Sequence, residues 1–122
     1  MLSAYFLWIP GILPPKGGDK MANFSGEAIR LAQETEKRYG VPASVTLAQY
    51  ALESGYGTSN LARKGNNYFG IMGSYNGQSI ILSGRNWRKY NSMEESFDDH
   101  GKLLSNGRYA EATQGVTNAF EY

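Results

Sequence analysis

The segment from Ala43 to Ser54 constrains the fold most, because its apolar residues occupy two sides of one helix. At about 100° per residue, these two faces consist of Val45, Ala48 and Leu52 on one side and of Leu47 and Ala51 on the other. A helix of this kind is typical of a buried position in a globular domain. Pro42 precedes it and Gly55 follows it, as suits the start and the end of a helix. We therefore expect this helix in the interior of the domain.

A narrow polar stripe remains between the two apolar faces, and it consists of Thr46, Gln49, Tyr50 and Glu53. If the helix is buried, the stripe must meet polar partners or line a cleft; otherwise it faces solvent. Glu53 lies at the carboxyl end of the helix, where the helix dipole disfavours a negative charge. Burial beside a groove and this dipole would both raise the pKa of the Glu53 carboxyl group, as a general acid requires.

An aromatic loop from Asn66 to Ile71 follows this helix and is of a kind that could hold a sugar. Gly55 and Gly57 free the backbone to turn towards it. The chain contains nine Tyr, two Trp and five Phe. Such rings serve either as ordinary core and surface residues or as the walls of a carbohydrate or peptide groove. Composition alone leaves both interpretations open.

The composition narrows the class of protein and of partner. A length of 122 residues indicates a single domain with a modest core. The net charge of +1, with scattered basic residues, provides no field for nucleic acid or an anionic membrane. The absence of cysteine excludes a disulfide scaffold and a thiol nucleophile, and one histidine disfavours a histidine-based metal site. We expect no metal, no cofactor and no nucleic-acid partner.

The remaining pattern predicts a mainly helical domain with a minor β element. In chain order, the other predicted elements are a helix from Ser25 to Gly40, a loop from Thr58 to Gly77, strands at Ser79–Leu82 and Asn86–Tyr90, a helix opened by the capping box Ser92–Glu95, and a helical segment that begins at Arg108. The chain has no internal repeat and no low-complexity tract.

Residues 1–20 are expected to precede the folded domain, which then spans residues 21–122. The stretch from Met1 to Pro15 is apolar but makes a poor signal peptide, because no Lys or Arg precedes the apolar run and prolines interrupt it. It is also too short to span a bilayer. Lys16 to Met21 can be encoded by a purine-rich run that resembles a ribosome-binding site before an ATG. We therefore expect Met21 as the natural start and the first twenty residues as a translated leader.

Three segments, Pro42–Gln49, Leu52–Gly57 and Asn67–Ile71, closely resemble the bacterial N-acetylglucosaminidase family of peptidoglycan hydrolases. That family (glycoside hydrolase family 73) includes domains of autolysins, flagellar rod-cap proteins and phage endolysins. The resemblance continues to Arg108–Tyr109 and covers roughly residues 29 to 112. It implies a lysozyme-like fold with a helical lobe and a small β-lobe, here shortened to a hairpin. It also implies the glycan strands of peptidoglycan as the partner and the bacterial cell wall as the place of action.

The resemblance assigns catalytic roles to two residues. Glu53 resembles the general acid that protonates the leaving glycosidic oxygen, and Tyr109 resembles the tyrosine placed near that acid. A second carboxylate, which glycosidases usually need, is expected in the β-lobe. The interval from Ile80 to Asn86 contains no Asp or Glu. The nearest acids in sequence suit the first turns of a helix better than catalysis, and they are Glu94, Glu95, Asp98 and Asp99. We expect instead help from the substrate's 2-acetamido group, or from a water held by Tyr109.

The resemblance also assigns substrate binding to residues of the aromatic loop. Tyr68 and Phe69 resemble groove aromatics, and Gly70 lets the backbone approach the sugar. Asn67 either fixes the loop or binds an acetamido group, while Phe69 is equally suited to anchoring the core. Gln49, in the polar stripe, is the remaining candidate for contact with the substrate.

Other functions on the same fold stay open. A lytic transglycosylase or muramidase shares the fold and a Glu-Ser pair at a helix end, but the Gly-Leu-Met-Gln-type segment typical of transglycosylases is absent. A catalytically weak wall-binding module would also be consistent with the short β-lobe. Members of the family continue for another helix beyond the tyrosine at position 109, so we expect the domain to be truncated at its carboxyl end.

Overall fold

The computed structural model describes residues 24–108, and within this range the chain forms helices and one small antiparallel sheet. In chain order the elements are α1 (Gly26–Tyr39), α2 (Ala43–Ser54), α3 (Asn60–Gly65), β1 (Ser79–Leu82), β2 (Arg85–Arg88) and α4 (Met93–Ser105). Within that range, no helix combines the length and the apolar character needed to cross a membrane. The mainly helical class with a small β-hairpin is confirmed. The expected leader over residues 1–20 and the helical segment expected after Arg108 lie outside the described residues.

Helix α1 begins and ends as the sequence predicts. The Ser25 side-chain oxygen accepts a hydrogen bond from the Ala28 N–H at 3.0 Å and caps the first turn. Gly40 ends the helix in the left-handed region, with a φ of +77°. The helix packs against α2 and α4. Its buried residues are Ala28, Leu31, Ala32 and Thr35.

Helix α2 lies in the interior, as its two apolar faces predict. The whole polar stripe is buried with it, since Thr46, Gln49, Tyr50 and Glu53 are all at most 8% exposed. The alternative in which the stripe faces solvent is therefore wrong. Burial of polar side chains is costly unless partners satisfy them. Gln49 has such a partner in His100, whereas the Thr46 hydroxyl has no hydrogen-bond partner among the described residues.

The predicted loop from Thr58 to Gly77 is wrong in its first part, because α3 occupies residues 60–65. The Ser59 hydroxyl accepts from the Ala62 N–H at 3.0 Å and caps the amino end of this short helix. Asn66 ends it with a φ of +52°. Only Leu61, Ala62 and Gly65 are buried here. A helix this short repeats its apolar pattern less than twice, so periodicity gave no signal.

The β-hairpin is close to its predicted position. Residues Ser83 and Gly84 both have positive φ, at +53° and +73°, as a tight hairpin turn requires. The second strand runs from Arg85 to Arg88 rather than from Asn86 to Tyr90. The chain leaves the sheet because the Tyr90 N–H donates to the Gly65 carbonyl of α3 at 2.9 Å.

Aromatic rings fill the core between α2, the aromatic loop and α4. Phe69 and Phe97 meet edge to face, with ring centroids 4.9 Å apart. Tyr50 lies 5.6 Å from Phe97, measured between ring centroids. Aromatic pairs at such distances stabilise a core beyond the area they bury. These contacts join the first half of the domain to α4.

A close approach between α1 and α4 occurs at Gly101 and provides a test of the fold. A Cβ atom at this position would lie 2.3 Å from Cγ2 of Thr35 and 2.7 Å from Cδ2 of Tyr39. We expect Gly101→Ala to lower the free energy of unfolding by about 1–3 kcal/mol because of overpacking, although Ala is the better helix former. Urea unfolding measures this. In the control Gly26→Ala, the added Cβ meets open space, and equal effects of the two substitutions would contradict the packing.

Candidate active site

Glu53 lies in the last turn of α2, at the position that the sequence predicts. Its side chain is 8% exposed in total. The next residue, Ser54, is fully buried, and Gly55 then ends the helix with a φ of +58°. The helix therefore places a largely buried carboxyl group next to the turn that follows it.

The turn after α2 has an uncommon backbone. Gly55, Tyr56 and Gly57 are three consecutive residues with positive φ, at +58°, +59° and +86°. A positive φ is rare for a tyrosine and persists only where the surroundings enforce it. Tyr56 is 45% exposed and packs its ring on Phe24, with centroids 5.1 Å apart. The turn beside Glu53 is thus held in one strained conformation.

Ser54 provides the hydrogen bonds that hold this turn, a role that no local sequence pattern indicated. Its hydroxyl donates to the Tyr50 carbonyl at 2.5 Å and accepts from the Gly57 N–H at 2.8 Å. Its carbonyl accepts from the N–H groups of Thr58 and Ser59 at 2.9 and 3.0 Å. Because the buried Ser54 forms hydrogen bonds both to α2 before it and to the turn after it, it fixes the backbone geometry next to Glu53.

Two tyrosines connect this turn to the aromatic loop. The rings of Tyr50 and Tyr68 are stacked at 28°, with centroids 5.8 Å apart. A Cβ atom on Gly57 would lie 2.7 Å from the Tyr50 hydroxyl oxygen and 3.6 Å from Cε1 of Tyr68. Burial raises the pKa of both tyrosines, so both keep their hydroxyl proton at neutral pH. Gly57 is required here because any side chain would collide with Tyr50.

Asn67 fixes the aromatic loop, which is one of the two roles that the sequence leaves open. The side chain is fully buried. Its Nδ2 donates to the carbonyls of Ile71 and Arg88, each at 2.8 Å, and its Oδ1 accepts from the Ile71 N–H at 3.1 Å. Gly70 lies within this closed loop with a φ of +64°. The amide therefore joins the loop to strand β2.

Phe69 and Gln49 support the site from within. Phe69 is fully buried and stacks on His100, with ring centroids 3.8 Å apart at 17°. Gln49 is 1% exposed, and its Oε1 lies 2.5 Å from Nε2 of the same His100. Phe69 thus anchors the core, as its second interpretation predicts. Tyr68 is the one of the five substrate-binding candidates whose side chain is partly exposed.

Two of the four acids near the hairpin have structural partners along α1 and at the start of α4. Glu95 completes the predicted capping box, since its carboxylate accepts from the Asn91 N–H at 2.9 Å. Asp98 accepts from Arg38 at 2.5 Å and from the Tyr39 hydroxyl at 3.0 Å. These contacts explain the two carboxylates without a catalytic role.

Asp99 forms a buried network with Arg88 and Tyr90. Its Oδ2 accepts from Nη1 of Arg88 at 2.8 Å and from the Tyr90 hydroxyl at 2.6 Å. Burial, reinforced by the Asp99 charge, raises the pKa of Tyr90 far above its ordinary value. The network joins β2 to α4. The hairpin itself, residues 79–88, contains no acid, so it provides no second catalytic carboxylate. Tyr109 lies outside the described residues.

Comparisons with known proteins agree with this geometry. Residues 29–122 match the family model Glucosaminidase, described as mannosyl-glycoprotein endo-β-N-acetylglucosaminidase. The chain is 39% identical over 88 residues to exo-glucosaminidase LytG of Bacillus subtilis, covering 62% of this chain and 31% of that protein. It is 32% identical over 114 residues to peptidoglycan hydrolase FlgJ of Pseudomonas aeruginosa, covering 78% of this chain and 28% of that protein. The chain spans about a third or less of these relatives' length.

A solved structure shares the fold. The catalytic domain of the autolysin Auto from Listeria monocytogenes superimposes with a TM-score of 0.62 at 27% identity, covering 89% of this chain and 73% of that domain. This likeness confirms the expected lysozyme-like fold, with a helical lobe and a small β-lobe.

The contact between Gly57 and Tyr50 can be tested by substitution. We expect Gly57→Ala to destabilise the domain by about 2–4 kcal/mol, because it adds a collision to the strain of a positive φ. Gly40→Ala is the matched control, since Gly40 also has a positive φ but open space around its Cβ. Thermal unfolding compares the two. Adding Tyr50→Phe should recover part of the loss only in the Gly57 variant, and equal losses at both glycines would contradict the collision.

The burial of His100 predicts a pH dependence of stability. Burial lowers the pKa of His100 from 6.5 to about 3. Because the unfolded chain then binds more protons between these values, stability is complete above the unfolded pKa and falls as the pH falls through this window. From about pH 7 to pH 5 we expect a loss of about 2 kcal/mol from this group. Urea unfolding of the parent chain and of His100→Gln checks this, and identical pH dependence in both would refute it.

Proposed function

The chain belongs to the family described as mannosyl-glycoprotein endo-β-N-acetylglucosaminidase, and on this premise we propose that it hydrolyses the glycan strand of peptidoglycan after N-acetylglucosamine. One relative is named an exo-glucosaminidase and another a peptidoglycan hydrolase. The proposed place of action is therefore the bacterial cell wall, outside the cytoplasm. The observation that supports the proposal most is the buried position of Glu53 at the end of α2.

In the proposed reaction, Glu53 is the general acid. Its position in the last turn of α2, only 8% exposed, supports that role, and the protonated state that the role needs stays a prediction. As the glycosidic C–O bond breaks, the carboxyl group gives its proton to the leaving oxygen. Water then adds to the anomeric carbon, and the proton that it loses returns to the Glu53 carboxylate, directly or through solvent, which restores the acid. The rigid turn built by Ser54 would keep the acid aligned with that oxygen, because a small misplacement of a catalytic group costs rate.

The second catalytic group is proposed to come from outside the hairpin. No acid occurs in residues 79–88, and Asp98 and Asp99 are held by internal partners. The 2-acetamido group of the substrate, or a water molecule near Tyr109, would then stabilise the positive charge that develops on the sugar. Either route needs one protein carboxyl group instead of two.

Substrate contact is proposed at the exposed side of the aromatic loop. Tyr68 is partly exposed and packs beside the turn that follows Glu53, so its ring can lie against a sugar face. Gly70 is buried in this structure, so the expected approach of its backbone to the sugar stays a prediction. Gln49, Asn67 and Phe69 contribute by holding the loop and helix in position, and any direct contact of these three with the sugar stays a prediction.

Digestion of purified peptidoglycan, followed by mass spectrometry of the new ends, tests the proposal. We expect reducing N-acetylglucosamine ends from the full chain. Reducing N-acetylmuramic acid would indicate a muramidase instead, and anhydro ends a lytic transglycosylase. Binding to the wall without new ends would indicate the wall-binding module.

The variant Glu53→Gln tests the role of the acid. An amide has no proton to give, so we expect kcat to fall by about 100-fold or more while binding to peptidoglycan is kept. The control is Glu34→Gln, which changes an exposed glutamate of α1 and should leave the rate unchanged. Normal cleavage by the Glu53 variant would disprove the assignment.

A further inference from the structure

An open cleft of about 480 Å³ lies between the β-lobe and the carboxyl half of α4. Its cationic side chains come from three places in the chain, namely Arg88 of β2, Lys102 of α4 and Arg108 after α4. Asp99 contributes a carboxylate. Arg88 lies 14 positions before Lys102 and on a different element, so the charge pattern along the chain does not reveal the cluster. The fold concentrates positive charge at this cleft in a chain whose net charge is only +1.

One cation of the cleft has no acidic partner among the residues that the structure describes. Arg88 is paired with Asp99, with 2.8 Å between Nη1 and Oδ2. The side chain of Lys102, in contrast, is exposed and makes no ion pair within the described range. Such an exposed cation attracts an anionic ligand.

The cleft is also partly apolar. Met72 and Leu103 line it together with the cations. A ligand that fits both features has carboxylate groups and short aliphatic parts, as a small acidic peptide has. A phosphate polymer would use the cations but leave the apolar lining without a partner.

The aromatic loop connects this cleft to the candidate active site. Tyr68 lies against Gly57 in the turn after Glu53, and Met72 lines the cleft four residues further along. Four residues of chain span at most about 14 Å. A branch on a sugar bound near Tyr68 would therefore be within reach of the cleft.

We infer that the cleft binds the acidic peptide stem of peptidoglycan, so that strands bearing peptides are the preferred substrate. This inference rests on the proposed function, because it takes the glycan strand to lie beside Glu53. The stem is attached to the sugar that alternates with N-acetylglucosamine, and it presents carboxylates, amides and alanine methyl groups. The exposed Lys102 binds a carboxylate of the stem, while Met72 and Leu103 contact the aliphatic parts.

Binding measured on three forms of one purified wall tests the inference. The forms are untreated, stripped of peptide stems by an amidase, and stripped of phosphate polymers by acid. The full chain carrying Glu53→Gln is compared with the same chain also carrying Lys102→Glu or Lys37→Glu. Lys37 is an exposed lysine of α1 away from the cleft, so it controls for net charge.

We expect removal of the stems to weaken binding by about 3-fold to 10-fold, a range typical of a few exposed charge contacts. Lys102→Glu should reduce this preference towards equality, whereas Lys37→Glu should keep it. The preference should also decrease with added salt. Equal binding to stemmed and stripped walls, or equal effects of the two lysine variants, would overturn the inference. If binding weakens when the phosphate polymers are removed, and not when the stems are removed, the cleft binds phosphate and not the peptide stem.

Cleavage by the unmodified chain, measured in parallel, separates this inference from the proposed function. Absence of new ends on every form of the wall counts against the glycosidase, while the binding comparison still decides the role of the cleft. If new ends appear with the same KM on strands with and without peptide stems, the glycosidase activity is supported and the peptide-binding role of the cleft is contradicted.

Discussion

The burial of α2 is the constraint on which the rest of the domain depends. A helix with two apolar faces must lie inside, and its polar stripe then needs partners. Gln49 meets His100 of α4, and His100 stacks on Phe69 of the aromatic loop. The buried His100 side chain thus joins the helix that carries Glu53, the aromatic loop and the last described helix. Because interior packing is close, a shift of any of these elements moves the others.

The second organising feature is the strained turn between α2 and α3. Three successive positive φ values beside Glu53 cost free energy, and the hydrogen bonds of Ser54 offset that cost. Because Gly57 has no side chain, the Tyr50 ring lies close to this turn, and the Tyr68 ring stacks on Tyr50. Strain located next to a buried carboxyl group suits a site that must hold one acid in a fixed direction.

The β-lobe is small, and polar contacts contribute to its attachment to the helices together with the buried Trp87 ring. Asn67 bonds to the Arg88 carbonyl, and Arg88 bonds through its side chain to Asp99. A buried ion pair of this kind is weak evidence for added stability, but loss of one partner leaves an uncompensated charge. The same contacts leave Lys102 exposed at the edge of the cleft. Buried polar groups therefore help to position the hairpin, which contains no acid.

The long helices, the hairpin turn and the position of Glu53 could be predicted from the sequence, because caps, turn glycines and apolar periodicity are local signals. The sequence pattern missed α3, which is too short to show a period, and it placed the end of β2 two residues too late because Tyr90 is drawn to Gly65 across the fold. The three-dimensional packing was needed to show that Asn67 and Phe69 are buried and support the loop. It was also needed to show that Asp98 and Asp99 have partners and that Arg88 and Lys102 line one cleft. Each of these depends on contacts between residues distant in the chain, which no local pattern encodes.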